Sequence, residues 1–158
     1  MNKPDIGFKK EDKNQKNILI ENDHEFKSLT QKAILLARKG RFSESEKIYR
    51  FLISKGKFDY LTFHRLAGIL ESQNKNQEAI LSLKKSIKLK YNYAEAYSEI
   101  GRILLNNGEF KISLDYFQTA IKYNPKLIGP YINIGNILAK TEKNDDALMF
   151  YQKALKLK

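Results

Sequence analysis

The chain contains no cysteine and only two histidines in its 158 residues. Without cysteine, neither a disulfide nor a thiolate metal site can form, and there is no thiol nucleophile. His24 and His64 lie 40 residues apart in unlike contexts, so their spacing does not predict a metal site. A glycine-rich phosphate-binding loop is also missing from the sequence. We therefore expect no cofactor, no metal and no catalytic residue.

Long apolar runs are missing as well. The N-terminal stretch MNKPDIGFKKEDKNQKNILIEN has no apolar segment of the length that a signal peptide or a membrane span requires. The absence of cysteine gives no indication of an oxidising compartment. The expected location is the cytoplasm, and no membrane partner is expected.

Paired carboxylates are the remaining candidates for acid–base chemistry. Asp145 and Asp146 adjoin a predicted helix start, where acidic side chains interact favourably with the helix dipole. Glu95 and Glu99 lie one turn apart on a predicted exposed helix face. Both pairs are explained without catalysis, and the chain is predicted not to be an enzyme.

A helical pattern is present between Ala94 and Lys126. Small and apolar residues recur there at the i, i+3, i+4 and i+7 spacing of a buried helix face. In the first half they are Tyr97, Ile100, Gly101 and Leu104, and in the second half Ser113, Phe117, Ala120 and Ile121 continue the same helical face at i, i+4, i+7 and i+8. The turn sequence Asn106-Asn107-Gly108 separates the halves, and Pro125 cannot continue the second. The pattern predicts a helical hairpin.

The hairpin pattern repeats every 34 residues without insertion. The equivalent residues are Phe63, Leu66, Ala67, Leu70, Ala79, Leu83, Ser86 and Ile87 upstream, and Tyr131, Ile134, Gly135, Leu138, Ala147, Tyr151, Ala154 and Leu155 downstream. A further step upstream gives Leu29, Ala33, Leu36, Ser45, Tyr49, Leu52 and Ile53. Because one hairpin is too small to bury its apolar face, stacked units are predicted at 26–59, 60–93, 94–127 and 128–158.

With this period the chain resembles the tetratricopeptide repeat (TPR) family, whose pattern sets aromatic, Leu-Gly, Ala and Pro residues at fixed places. The third unit matches with Tyr97, Ile100-Gly101, Leu104, Ser113, Phe117, Ala120 and Pro125, and the fourth with Tyr131, Ile134-Gly135, Leu138, Ala147, Tyr151 and Ala154. The first unit departs most, with Lys32 at an apolar place. The resemblance implies an all-α, right-handed α-solenoid of four antiparallel helix-turn-helix hairpins that acts as a protein–protein interaction scaffold.

Residues 1–25 show little of this periodicity and are predicted to form a largely disordered tail. Within the tail, the apolar group of residues 18–20 could instead form a short helix that caps the first unit. Ser43 and Glu46 have the Ser-x-x-Glu spacing of a capping box for the second helix. Asn144 or Asp145 is the expected N-cap of the last helix.

Members of the family bind partners on the concave surface formed by the first helix of each unit. By spacing, that surface is polar and mixed in charge here, which suits an extended or helical peptide. The expected peptide-binding residues are Arg65, Glu99, Arg102, Asn106, Asn133, Asn136 and Lys140, and Ile34, Arg38, Gly68, Glu71 and Ser72 share the surface. The alternative is that these side chains form only a solvated helix face.

Some relatives clamp the C-terminal carboxylate of a chaperone with Lys, Arg and Asn side chains at set places. The matching places here are His64, Gly68, Glu99, Gly129 and Asn133. Only Asn133 fits, so chaperone clamping is not predicted. Asn133 also resembles the concave asparagines of O-linked glycosaminyl transferases, but Glu99 and Arg65 do not continue that ladder.

The last predicted helix has an apolar face with no following unit to cover it. Ile53, Ile87 and Ile121 can each pack on the next unit, whereas the equivalent Leu155 cannot. Leu148, Tyr151 and Leu155 would then form a self-association face for a homo-oligomer, a face for another partner, or a contact within a longer protein. The alternative is that isolated apolar residues at a chain end are simply tolerated.

The formal net charge of +11 raises a second class of partner. A ridge of lysines is predicted on the convex side, at Lys84, Lys85, Lys88, Lys122, Lys153 and Lys156. Such a ridge could bind nucleic-acid phosphate or an anionic surface. Lysine predominates over arginine, however, and AT-rich codon usage explains the lysines without a function, so nucleic acid is the less favoured partner. A third alternative makes the chain the repeat portion of a longer enzyme.

Overall fold

The computed structural model describes the backbone of residues 13–158 and the side chains from His24 onward. The regular structure in this part of the chain is entirely helical. Its helices are α1 (Lys13–Arg38), α2 (Phe42–Ser54), α3 (Tyr60–Ser72), α4 (Asn76–Leu89), α5 (Ala94–Asn106), α6 (Phe110–Tyr123), α7 (Ile128–Lys140) and α8 (Asn144–Lys156). The helices form four consecutive pairs, which is the number of hairpins expected from the repeat.

Helices pack as hairpins, α1 with α2, α3 with α4, α5 with α6, and α7 with α8. The second helix of each of the first three hairpins also contacts the first helix of the next, and α5 contacts α7. This is the predicted all-α solenoid of stacked hairpins. The odd-numbered helices therefore form one continuous surface, which positions the candidate site.

The core consists of the repeated signature residues. Ala33, Tyr49, Leu66, Leu70, Ala79, Leu83, Ile100 and Leu104 belong to one buried cluster that passes from the first unit into the third, and Phe117, Ile134 and Ile137 form a second. Glycine is required where rings lie closest: a Cβ at Gly101 would be 2.8 Å from Cε1 of Phe117, and one at Gly135 would be 2.5 Å from Cε1 of Tyr151. Helix-to-helix contact at these two places leaves no room for a side chain.

The first unit folds as a hairpin although its sequence departs most from the pattern. Ser45 stands in a core position and is fully buried, and its hydroxyl donates to the carbonyl of Ala33 at 2.8 Å. The hydrogen bond satisfies a polar group that burial would otherwise penalise. Lys32 is exposed, so it places no charge in the core. The first hairpin thus forms its buried face without an apolar side chain at position 32.

The N-terminal boundary differs from the one drawn by periodicity. Helix α1 begins at Lys13 and continues through residue 26 without a break. The predicted disorder of residues 1–12 lies outside the described residues. The side chains of residues 18–20 are also outside them, so their proposed capping contact stays a prediction.

Turns lie where the sequence places them, but two predicted helix caps are wrong. Gly40, Asn74, Gly108 and Glu142 have the positive φ of the inter-helix turns, and Gly56 has the same backbone after α2. Helix α2 begins after Arg41 with no side-chain cap, and α8 begins after Lys143 with none. The capping box that does form joins Asp59 and Thr62 at the start of α3.

Glu46, the residue expected in the wrong capping box, links the first two units instead. Its carboxylate accepts hydrogen bonds from Nε of Arg50 at 2.7 Å, Nε2 of Gln73 at 2.9 Å and Nζ of Lys75 at 2.9 Å. Burial raises the pKa of Glu46, but the hydrogen bonds from Lys75, Arg50 and Gln73 outweigh it and lower the pKa to about 2. The carboxylate is therefore charged at neutral pH and joins α2 to the α3–α4 turn.

Candidate functional site

The concave surface is divided by the repeat into three equivalent groove segments, each between the first helices of successive units. The first segment is lined by Arg38, Arg65, Gly68 and Ser72, the middle one by Ser72, Glu99, Arg102 and Asn106, and the last by Asn106, Asn133, Asn136 and Lys140. Each member lies 34 residues from its equivalent in the next segment. Differences between segments therefore come from side chains at matched positions.

The middle segment is crossed by contacts between its own side chains. Nη1 and Nη2 of Arg102 each donate to Glu71 at 2.6 Å, so the pair is bidentate between α5 and α3. Nε2 of His64 lies 3.0 Å from Oε1 of Glu99 between the same helices. Nδ1 of that imidazole is 3.4 Å from the hydroxyl of Tyr93. One bidentate ion pair and one contact between an imidazole and a carboxylate therefore cross from the second unit to the third.

Contacts and burial shift two pKa values at the middle segment. The hydrogen bond to Glu71 raises the pKa of Arg102 further, against a lowering by burial. Burial raises the pKa of Tyr93 to about 12, helped by the nearby charges of Glu95 and Glu99, so its hydroxyl is protonated at neutral pH. Glu99 and Arg102, predicted as peptide contacts, thus have partners within the protein. A peptide would have to compete with those partners.

The last segment is open. A concavity of about 680 Å³ between α5, α7 and α8 is lined by Leu105, Asn106, Asn133, Asn136, Ala139, Lys140 and Tyr151. Four of the predicted peptide-binding residues are brought together there: Asn106, Asn133, Asn136 and Lys140. The hydroxyl of Tyr151 donates to Oδ1 of Asn136 at 2.9 Å, and the ammonium of Lys140 lies 5.6 Å from the centre of the Phe110 ring. The lining offers amide donors and acceptors beside short apolar surfaces.

The first segment is open as well, but with a different lining. A concavity of about 430 Å³ lies between α1, α2 and α3, lined by Ile34, Ala37, Arg38, Phe42, Tyr49, Arg65, Gly68, Ile69 and Ser72. Arg65 was predicted as a contact residue. Tyr49 was predicted only as core, because it occupies a signature position. It is 1% exposed, and its hydroxyl has no hydrogen-bond partner among the described residues.

The C-terminal apolar face contains fewer exposed residues than predicted. Leu148 and Leu155 are 56% and 72% exposed, and Met149 beside them is 46% exposed. Tyr151 differs from these residues because its ring packs on Gly135 and its hydroxyl bonds to Asn136. It belongs to the contact between α7 and α8 rather than to a free face.

The convex side carries the predicted lysine ridge. All six of its side chains are exposed, at Lys84, Lys85, Lys88, Lys122, Lys153 and Lys156. Within the part of the chain that the structure describes, no group of three or more acidic or histidine side chains could hold a metal ion. No helix in that same part is both long and apolar enough to cross a membrane.

Sequence models of the tetratricopeptide repeat match residues 61–93, 94–127 and 128–158. The chain belongs to the tetratricopeptide repeat family. The matches leave out the first unit, which the 34-residue period predicts and which forms a hairpin in the structure. The family membership supports a scaffold for protein interactions.

Solved structures share the fold at low sequence identity. MamA has a TM-score of 0.75 at 21% identity, covering 90% of this chain and 83% of that one. YrrB, described as a TPR protein with an unusual peptide-binding site, has a TM-score of 0.68 at 21% identity, covering 80% of this chain and 65% of that one. These likenesses establish the fold alone.

A curated relative is much longer. The UDP-N-acetylglucosamine–peptide N-acetylglucosaminyltransferase of Giardia intestinalis is 29% identical over 92 residues, which is 58% of this chain and 6% of that protein. A match of this extent is one between repeats. It does not extend the transferase activity to the present chain.

Proposed function

We propose that this chain is a protein-interaction scaffold that holds an extended peptide segment of a partner in its concave groove, mainly at the last segment. The supporting observation is the open concavity of about 680 Å³ that gathers Asn106, Asn133, Asn136 and Lys140. The described residues offer no internal hydrogen bond to Asn106, Asn133 or the ammonium of Lys140. These polar groups are therefore available to a ligand.

Side-chain amides suit a peptide backbone. Each amide offers an acceptor oxygen and a donor nitrogen, so Asn106 and Asn133 can pair with the carbonyl and the N–H of one extended residue. Leu105 and Ala139 beside them provide apolar contact for alternate side chains. YrrB, which shares the fold, is described as having a peptide-binding site, and this supports a peptide as the class of ligand.

The middle segment has a different role in this proposal. Its bidentate pair between Glu71 and Arg102 and the contact between His64 and Glu99 hold α3 and α5 together. They keep the spacing between the second and third units, on which the shape of the groove depends. A bound peptide would pass over this part while making its main polar contacts elsewhere.

The experiment is selection of peptides from a random 12-residue display library, followed by fluorescence anisotropy with the selected peptides. Replacing Asn106 and Asn133 together by Ala removes the amides without touching the core, and we expect affinity to fall by about tenfold or more, since two neutral hydrogen bonds are lost. The matched control is Gln118→Ala on the exposed face of α6, which removes an amide from the convex side.

Equal affinity of the selected peptides for the Asn variant and the wild type would contradict binding at the last segment. Measuring each affinity at low and high salt addresses the convex lysines. A steep loss of binding with salt that Gln118→Ala and the Asn variant share would instead favour the lysine ridge as an anion-binding surface.

Self-association is a second proposal, supported by the exposure of Leu148 and Leu155 on α8. Two copies could cover these leucines against each other, which removes apolar surface from water. Sedimentation velocity over a concentration series tests this. We expect Leu148→Lys with Leu155→Lys to lower the average mass, whereas a wild-type chain that stays monomeric at every concentration would contradict it.

A further inference from the structure

We infer that the first groove segment is an anion site that binds the carboxylate of an Asp or Glu side chain in the partner peptide, with apolar peptide residues beside it. The inference rests on the proposed function, because it assigns a chemical class to the ligand of the same groove. Three independent features of the segment support it: its arginines, its buried hydroxyl and its glycine.

The arginines of the chain fall into two groups. Arg41 pairs with Glu44, Arg50 with Glu46 and Glu78, and Arg102 with Glu71. The remaining two, Arg38 and Arg65, have no carboxylate partner among the described residues, and both line the concavity of the first segment. No Asp or Glu belongs to that lining.

The nearest carboxylate along α3 is not available to these two arginines. Glu71 is held by both terminal nitrogens of Arg102 at 2.6 Å, on the side of the middle segment. Two unpaired guanidinium groups in one concavity repel each other and favour an anion between them. Because guanidinium donors form a planar fork, a carboxylate is well matched to them in geometry.

The hydroxyl of Tyr49 is the second feature. Its equivalent in the last unit, Tyr151, donates to Asn136 at 2.9 Å. The residue in the first unit that is equivalent to Asn136 is Ile34, which has no acceptor. The phenol of Tyr49 is thus buried without a partner while it lines the concavity. A carboxylate bound there would supply the missing acceptor.

Gly68 is the third feature. A Cβ built on it meets nothing within 4 Å, whereas one on Gly101 or Gly135 would collide with an aromatic ring. Packing therefore does not require this glycine, and glycine inside a helix is destabilising relative to alanine. Its effect is to leave the floor of the segment open between Arg38 and Arg65. Space at this position is what a ligand needs.

The apolar part of the lining identifies the kind of anion. Ile34, Ala37, Phe42 and Ile69 share the concavity with the two arginines. A nucleic-acid phosphate would place a polar sugar and further charge against these side chains. A peptide carboxylate with leucine-like neighbours gives both the charge and the apolar contact. The ligand class is accordingly an acidic residue flanked by apolar ones.

The test uses two blocked synthetic peptides, GLELG and GLQLG, titrated into the ¹⁵N-labelled full chain. We expect GLELG to shift the amide signal of Gly68 and the side-chain Nε signals of Arg38 and Arg65, with an affinity at least about tenfold above that of GLQLG, because only the first forms charge-assisted hydrogen bonds. Replacing both arginines by Gln should remove this difference, whereas the control Arg41→Gln, at an exposed pair outside the groove, should preserve it.

Two single variants test the site even if the variant with both arginines replaced fails to fold. Tyr49→Phe removes a hydroxyl that has no partner in the free protein, so we expect an unchanged or higher Tm together with several-fold weaker GLELG binding. A role in the fold alone would instead lower the Tm and leave binding unchanged. Gly68→Leu fills the floor of the segment and should weaken GLELG binding without removing any charge.

The outcomes separate this inference from the proposed function. Equal affinity for GLELG and GLQLG, or shifts confined to the signals of Asn133 and Asn136, would overturn the anion site while leaving peptide binding at the last segment intact. If the display-selected peptides do not bind at the last segment while GLELG still binds through Arg38 and Arg65, the anion site is supported and peptide binding at the last segment is contradicted.

Discussion

The middle groove segment and its two neighbours use equivalent positions in opposite ways. At one repeat position the units carry Ile34, Gly68, Arg102 and Asn136 in turn. Only Arg102 reaches a carboxylate of the preceding unit, and it closes the middle segment with a bidentate pair. Gly68 and Asn136 leave the flanking segments open, with concavities of about 430 and 680 Å³.

The difference indicates how a repeat scaffold can separate cohesion from binding. Polar side chains that pair across units hold the stack together. Each such pair leaves fewer free hydrogen-bonding groups for a ligand. Side chains at the same positions that find no internal partner stay available. Recognition is therefore expected where the repeat leaves polar groups unpaired, and four predictions address this division.

The largest effect is expected at Glu46, which joins the first two units outside the groove. The hydrogen bonds of Glu46 connect the first unit to the second outside the groove, so the first segment does not need a pair of its own to hold the two units together. Glu46→Gln should therefore lower the free energy of unfolding by roughly 2 kcal/mol at neutral pH. Urea denaturation measures the change. The matched control, Glu44→Gln, removes a carboxylate from a fully exposed pair and should produce no measurable change.

The same residue predicts a pH dependence. Because the pKa of Glu46 is about 2 in the fold and 4.5 in the reference state, the folded chain binds fewer protons. Its stabilisation is complete above about pH 4.5 and is lost as the pH falls toward 2. Hydrogen exchange should show α2 opening at acid pH in the wild type. Equal acid sensitivity of the wild type and the Glu46→Gln variant would contradict this assignment.

Glycines in the groove and in the core should respond with opposite sign. Gly101→Ala places a Cβ 2.8 Å from the buried ring of Phe117 and should destabilise the fold by about 1–2 kcal/mol, which includes the gain in helix propensity. Gly68→Ala meets nothing and should stabilise it by about 0.5–1 kcal/mol. Thermal unfolding of both variants checks this. A loss of stability in both variants would show that Gly68 is required for packing and does not border open space.

A smaller loss of stability than at Glu46 or Gly101 is expected at Arg102. Its pair with Glu71 is partly exposed, so Arg102→Gln should lower the free energy of unfolding by only about 1 kcal/mol. The same variant removes the guanidinium that closes the middle segment, and hydrogen exchange in α3 and α5 should increase. Asn133→Ala, at an open segment, is the control and should leave exchange unchanged. Identical exchange in the two variants would argue against cohesion by the middle pairs.

Much of the fold was predictable because the burial pattern is local. The helices, the turns and the buried face follow from a local spacing, seen in Tyr97, Ile100 and Gly101, that recurs every 34 residues. Capping was less predictable. Ser43 and Glu46 have the spacing of a capping box, but Lys75 and Gln73 are distant in sequence and compete for the same carboxylate.

The candidate site was predictable only as a surface. Residue spacing predicted Glu99, Arg102, Asn106 and Asn133 alike as peptide-binding residues, because spacing shows only which face of a helix a residue occupies. Their partners, His64 and Glu71, lie on a different helix. Tyr49 was missed as a site residue because its position indicates core. The signal that could have found it is the absence of an acceptor at Ile34, where the last unit has Asn136.

The family, the number of hairpins, the turn positions and the buried positions follow from the sequence, because each depends on residues within one or two turns of helix or on a fixed period. Which polar side chains of the concave surface pair with one another follows from the packing of the units in three dimensions. Such pairing depends on atom-to-atom distances between units, and a carboxylate 31 residues away from Arg102 closes one segment while its neighbours stay open.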